Sequence, residues 1–373
     1  MDKTEYGKNA VLMIKLISCV LNDKKPDEDL LSGIDPGKLF TVARAHNLAA
    51  ITAYALEEAG VKYPAFSEAK DKAIRKNILL DAEREAVTSE MEKKGIWYMP
   101  LKGSLLHEWY PRIGMRQMAD NDILCDSTRM EEVKDIFVSR GYYVKLFGKS
   151  NHDVYYKAPV YNFEMHSGLF SSKSHSENLW KYYEGIENRL VSDGKSRFGR
   201  RFRGEDFYLY MLAHEWKHFS GSGTGLRSLV DTYVFLKKFG HSLDWDYISD
   251  EAEKLEILDF EENNRTLSCK LFDRERLSDE EKKLLSYYVY SGTYGNLENQ
   301  VSHKLQKLNG SRLKYLKGRL FPSREYLAFT VPWVEKSPIL VPAGWIYRII
   351  YRTKRGGKRF VKEFGLVVKN KEE

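Results

Sequence analysis

The hydrophobic period of this chain changes at Gly95 and changes back near Lys195, and that switch limits the folds open to it. From Gly7 to about Glu92 the apolar residues recur at three- and four-residue spacing, the spacing of a helix face. One such run, "LFTVARAHNLAAITAYALEEAG", ends at Gly60; a longer charged run, "AIRKNILLDAEREAVTSEMEKKG", ends at Gly95. Beyond Gly95 come short strand-like runs, "IWYMPLKG", "DNDILC", "YYVKLF", "HDVYYKA" and "YNFEMHS". Two helical segments interrupt them: "SLLHEWY", stopped by Pro111, and "STRMEEVKDIFVSRG", capped by Ser127 or Asp126. The order β-α-β-α-β-β-β predicts a mixed sheet with helices on it. Past Lys195 the period is helical again, in "EDFYLYMLAHEWKHF" and "LRSLVDTYVFLKKFG" with the loop "SGSGTG" between them. The expectation is an α/β (α+β) chain with a helical region over 1–92, a mixed-sheet core over 93–195, and a helical domain over 196–373 that ends in a basic tail.

Charge and cysteine usage narrow the class. The formal charge is +7, yet the last 31 residues hold nine Lys/Arg against three Glu and so carry +6 of it. The rest is nearly neutral, so nucleic acid is not the favoured partner, and the tail reads as a solvated charged end. Cys19, Cys125 and Cys269 lie far apart beside apolar residues without a C-x-x-C spacing, which suits reduced core residues of a cytoplasmic protein. Lys15 interrupts the N-terminal apolar patch, and two prolines and an arginine interrupt "SPILVPAGWIYRIIY", so no transmembrane segment is expected.

The chemistry concentrates around "QMADNDILC". On a strand, Asp120 and Asp122 share a face while Asn121 points back into the packed side, where its amide needs partners. Two carboxylates side by side repel each other unless a cation sits between them. Glu164, between Phe163 and Met165 on another strand, suits a neighbouring position on the same sheet. Three carboxylates converging on one edge form a site for a hard divalent cation, Mg²⁺ most simply, with Mn²⁺ as the alternative. His166 shares the strand face of Glu164, where two readings stay open, a group supporting the site or a satisfied structural histidine. Upstream, "LKGS" delivers Gly103 and Ser104 to a helix start, whose N–H groups favour phosphate. Lys102 and Arg116 add positive charge for a polyphosphate.

These residues resemble the polymerase-β-like nucleotidyltransferase superfamily, marked by a hydrophobic-Gly-Ser element, then D-x-[DE], then a third acidic residue in a strand. More closely, "MPLKGSLLHEWYPRIGMRQMADNDILCD", "FEMHSGLF", "LAHEWKHF", "GLRSLVDTYVFL" and "LVPAGWIYRII" resemble a bacterial family of uncharacterised nucleotidyltransferases with an LKG motif, over about Leu39 to Arg352. Fifteen residues separate Ser104 from Asp120, a longer gap than the superfamily's but suited to that family, and Asn121 stands where an aliphatic residue is common. The resemblance implies a nucleotidyltransferase core flanked by helices, and transfer of a nucleoside monophosphate from a nucleoside triphosphate with Mg²⁺. Asp120 and Asp122 would hold the metal on the triphosphate, and Glu164 would complete a second metal site or act as base on the acceptor hydroxyl. The acceptor is left open among a small molecule such as an aminoglycoside-like sugar, a protein side chain and an RNA end.

One motif competes. "HEWKH", His214 to His218, matches the H-E-x-x-H pattern of zinc hydrolases, with Glu215 as the group that activates water. No third ligand follows at the expected spacing, and both histidines share a helix stripe with Phe207 and Met211. The preferred reading gives Lys217 or a histidine a phosphate contact or a bracing role. A further alternative is a nucleotide-binding protein that keeps the fold without turnover.

Overall fold

The computed structural model describes residues 1–171, 177–293 and 295–369. These fall into two compact units: Met1–Lys217 with Gly225–Val289, and His218–Thr224 with Tyr290–Glu373. The three-part division at 92 and 195 does not coincide with these units, because contacts distant in sequence tie the first helices to later ones. Ser18 Oγ and Asn22 Nδ2 both donate to the carbonyl of Phe272, and Tyr233 OH donates to Asn22 and Asp273.

The first unit holds the expected mixed sheet. Its strands are β1 (Tyr98–Pro100), β2 (Asn121–Cys125), β3 (Tyr143–Leu146), β4 (His152–Lys157) and β5 (Tyr161–His166), in the spatial order β1-β2-β5-β4-β3. Only the β2–β5 pair is parallel. Its register sets Asn121 opposite Phe163 and Asp122 opposite Glu164.

Side-chain alternation sorts the sheet into an apolar packed face and a second face on which polar groups stand half-buried. Ile123, Cys125, Tyr155, Phe163 and Met165 meet Val87 and Met91 of the helix Pro64–Lys94 and Val133, Ile136 and Phe137 of the helix Met130–Ser139. The alternate positions Asp122, Glu164 and His166 are left to the other face. Asp126 caps the run into Met130–Ser139, its carboxylate accepting from the N–H of Thr128 at 3.0 Å. The long helix stops where Gly95 takes φ +68°, a left-handed backbone that lets its N–H and that of Ile96 close on the last carbonyls.

One expected helical run is broken. "LFTVARAHNLAAITAYALEEAG" forms two helices, Pro36–Ala45 and Ala49–Glu58, because Asn47 adopts φ +54° between them. Buried His46 just before the break accepts at Nδ1 from the N–H of Leu226. All three cysteines are free thiols, Cys19 and Cys125 buried and Cys269 half-buried.

The second unit is helical, with helices Leu297–Lys307, Arg312–Leu320, Arg324–Thr330 and Val341–Lys369. Val301, Leu305, Tyr315 and Val367 form one small core; Leu327, Val331 and Val334 form another. No helix among the described residues is long and apolar enough to cross a membrane. The basic run "RTKRGGKRF" lies on the last helix, and the final four residues of the tail, 370–373, lie outside the described residues.

Candidate active site

The parallel register of β2 and β5 places Asp122 and Glu164 side by side on the second face. His166, two residues further along β5, shares that face, and its Nε2 lies 3.2 Å from Asp122 Oδ1. One ligand atom from each of Asp122, Glu164 and His166 lies within 4.8 Å of the others, the only such cluster of three metal-capable side chains among the described residues. His152 of β4 flanks it, with Nε2 3.7 Å from Glu164 Oε2 and its ring 5.2 Å from that of His166.

Asp120 sits immediately before β2 rather than within the ladder, half-buried. Burial, with the charges of Asp122 and Glu164, pushes its carboxyl up to about 7. Burial and Asp122 also raise Glu164. Asp122 goes the other way: burial opposes its charge, but the bond from His166 and the charges of His166, Lys102 and His152 hold it below the ordinary aspartate range. The carboxylates thus crowd one another with too little positive charge nearby, and the donors fit a divalent cation. Two carboxylate oxygens and an imidazole nitrogen suit Mn²⁺ as well as Mg²⁺.

The "LKGS" segment is built differently from the expectation. Ser104 is buried, its Oγ donating to Asn121 Oδ1 at 3.2 Å and its N–H to the Leu101 carbonyl at 2.9 Å, so neither group faces a phosphate. The amide of Asn121, an outlier by sequence, is satisfied on the packed side: Nδ2 donates to the Leu80 carbonyl, and Oδ1 accepts from Ser104 and Arg84. Gly103 is closely packed: a Cβ there would meet Arg116 Nη1 at 3.0 Å, so the guanidinium would have to give by a few tenths of an ångström. Among the described residues no acceptor meets its N–H, which opens the short helix Gly103–Leu106.

Arg116 is also committed elsewhere. It is buried and grips Asp231 of the helix Leu226–Phe239 with two parallel bonds, Nε to Oδ1 at 2.8 Å and Nη2 to Oδ2 at 3.0 Å. Tyr110 OH donates to the same carboxylate at 2.6 Å. The cation that Arg116 was expected to offer a polyphosphate is therefore spent on a fixed carboxylate.

Lys102 holds a rare backbone conformation for a non-glycine residue, φ +22°, at the end of the segment after β1. Its Nζ meets His214 Nδ1 at 2.6 Å, and burial lowers it to about 8. Lys217 is an exposed residue whose ammonium stands 5.9 Å from the centre of the Phe170 ring; desolvation lowers it while the charge of Glu164 raises it. Glu215 does not face a metal. Its carboxylate is buried, accepts from Asn264 Nδ2 and Tyr288 OH at 2.8 and 2.9 Å, and is pushed up to about 7 by burial. His218 belongs to the second unit, and the three-residue cluster contains neither histidine of the H-E-x-x-H motif.

Sequence reasoning missed His152, Asp231 and Arg227. The charge of Arg227 acts on Asp120, Lys102 and Asp231 together. Only the likeness of "GLRSLVDTYVFL" to a known family pointed toward it and Asp231; His152, one of several separate histidines, carried no signal.

A family model described as "Uncharacterised nucleotidyltransferase" matches residues 32–273, which include Lys102, Gly103, Asp120, Asp122, His152, Glu164, His166 and Asp231. The segment "LVPAGWIYRII" lies beyond that match. No curated protein and no solved structure gives a significant match.

Proposed function

We propose, on the premise that this chain belongs to the uncharacterised nucleotidyltransferase family, that it transfers a nucleoside monophosphate from a nucleoside triphosphate to a hydroxyl acceptor with the help of Mg²⁺. The family makes it a transferase of phosphorus-containing groups; the donor, the metal and the acceptor are our reading. The observation that carries it is the pairing of Asp122 with Glu164 across β2 and β5, with His166 closing the cluster.

Asp120 and Asp122 would hold the divalent cation on the triphosphate, with His166 as a third donor or as the hydrogen-bond partner that keeps Asp122 ionised. The cation, when bound, supplies charge neutralisation on the phosphates and on the departing pyrophosphate. Lys102, Lys217 and the N–H of Gly103 would bind triphosphate oxygens, with His214 fixing the direction of Lys102. Arg116 and Ser104 would act indirectly, the first through Asp231 and the second through Asn121. Glu164 is shared between strand pair and cleft, and would take the proton of the acceptor hydroxyl. Such catalysis is positioning and electrostatics rather than covalent chemistry with the protein.

The acceptor is a small molecule, a protein or an RNA end in this reading, and the test is direct. Each labelled nucleoside triphosphate is incubated with the protein, Mg²⁺ and a lysate, and the label is followed into the acceptor fractions. Label from the α-phosphate should become attached while label from the γ-phosphate leaves with pyrophosphate. Transfer of the γ-phosphate instead would make the protein a kinase and reject the proposal.

A further inference from the structure

The last helix of the second unit, Val341–Lys369, has a well-anchored inner face. Glu363 is buried there and accepts from Tyr315 OH at 2.8 Å and from the Arg319 guanidinium at 2.5 and 2.7 Å. Arg348 is buried too and donates to the Arg319 carbonyl at 2.9 Å. Trp345 packs with Leu327 and Val334, and Val367 closes the other small core. A surface helix anchored in this way normally turns charged and polar residues outward.

This helix turns isoleucines outward. Ile346 is 61% exposed, Ile350 51% and Val361 70%, and Ile339, in the turn that leads into the helix, is 87% exposed. Ala343, Ile346, Ile350, Gly357 and Val361 follow at intervals of three, four, seven and four residues, so they share one outer face of the helix. Tyr347 and Tyr351 stack beside it at 6.0 Å, and the Trp333 ring stands 6.1 Å from Tyr347. Along one flank, exposed Lys354, Lys358 and Lys362 follow at four-residue intervals, and the outward face carries no acidic residue, since the helix's one glutamate, Glu363, is buried.

We infer that this face is an in-plane anchor for an anionic lipid surface. An apolar stripe with Trp and Tyr at its border and a row of lysines at its side has the composition of a helix that lies at the headgroup boundary, aliphatic side chains inward and ammonium groups on the phosphates. The aliphatic stripe argues against nucleic acid, which is bound through aromatic and cationic groups. The lysine row argues against a second copy, which would bring more lysines to Lys354 and Lys358, while Lys362 has Glu298 beside it at 3.7 Å. The helix would hold the protein on the membrane without crossing it, and its catalytic unit would then act on acceptors presented at that surface.

Co-sedimentation of the full chain with vesicles tests this. One set is phosphatidylcholine alone; the other contains roughly one-third phosphatidylglycerol, both at about 0.1 M salt, where the screening length is about 10 Å. The protein should partition onto the anionic vesicles, weakly onto the neutral ones, and detach as salt is raised. Replacing Lys354→Gln and Lys358→Gln together should lower the partition coefficient roughly 25-fold, about fivefold for each cation near the surface. Ile346→Ser with Ile350→Ser, at exposed positions that leave the inner face intact, should abolish it. Failure of the unmodified protein to bind anionic vesicles would overturn the inference, as would equal binding by the isoleucine variant. Two further outcomes count against it: a dimer in vesicle-free solution that the isoleucine variant dissolves, or single-stranded RNA displacing the protein from the vesicles.

Discussion

Asn121 separates the two sides of the sheet more sharply than any other residue. Its neighbour Asp122 faces the cleft while its own amide is tied to Leu80, Ser104 and Arg84 on the packed side. Replacing Asn121→Leu removes both hydrogen-bonding ends and strands the Ser104 hydroxyl in the interior, while the Leu80 carbonyl keeps only its partner within the helix. We expect a loss of about 2–3 kcal/mol in urea unfolding, the scale of a buried group left without its partner; unchanged stability would show that the amide is dispensable. Glu164 makes the opposite case, a residue whose value lies in turnover. Burial and the charge of Asp122 raise it, so the fold gains little from its ionised form. Glu164→Gln keeps size and some bonding capacity, so triphosphate affinity should stay near the parental value while transfer falls about a hundredfold or more, the scale of a lost general base. A variant that transfers at the parental rate would remove Glu164 from the chemistry.

At the scale of elements, local pattern and distant pairing parted company. The strands "DNDILC" and "YNFEMHS", the helix after Asp126 and the glycine stop at Gly95 were legible because each is set by its own residues: alternation, a capping carboxylate, a left-handed glycine. The sequence also suggested that Asp122 and Glu164 would meet, since Glu164 stands between Phe163 and Met165 on a strand suited to the sheet that carries Asp122. Other features depend on partners remote in sequence and leave no local trace. Nothing near Arg116 announces Asp231, 115 residues away, and nothing in "HEWKH" tells that Glu215 is spent on Asn264 and Tyr288. For His166 the strand alternation already put it on the face of Glu164, and the parallel register adds its contact with Asp122. The Arg116–Asp231 fork ties the segment before β2 to the helix Leu226–Phe239. Asp231→Ala should cost about 3–5 kcal/mol because it leaves a buried guanidinium unpaired. The double replacement Arg116→Met, Asp231→Leu should recover much of that loss in the same unfolding assay; a double variant as unstable as the single one would show that the fork is needed for more than charge balance.

For the molecule as a whole, the crowded carboxylates make stability and cation binding two sides of one balance. Asp120 ionises near 7 in the fold against 3.8 for a free side chain. Between those values the unfolded chain has released this proton and the native protein has not, so the contribution of Asp120 to metal-free stability is full below about pH 4 and is lost as pH rises toward 7. Denaturant midpoints in chelator should accordingly show Asp120→Asn gaining on the parent from pH 5 to pH 7; a constant difference would mean that Asp120 is not crowded by its neighbours. A bound cation relieves the same repulsion, which is why the account rests on metal-dependent nucleotide binding. Titration calorimetry of a nucleoside triphosphate into the purified protein, with Mg²⁺ and then with chelator, measures it most directly. Binding is expected with Mg²⁺, with its loss in chelator and its loss with Mg²⁺ present in the Asp120→Ala, Asp122→Ala double variant. Equal affinity in Mg²⁺ and chelator, or parental affinity in the double variant, would contradict metal-dependent nucleotide binding.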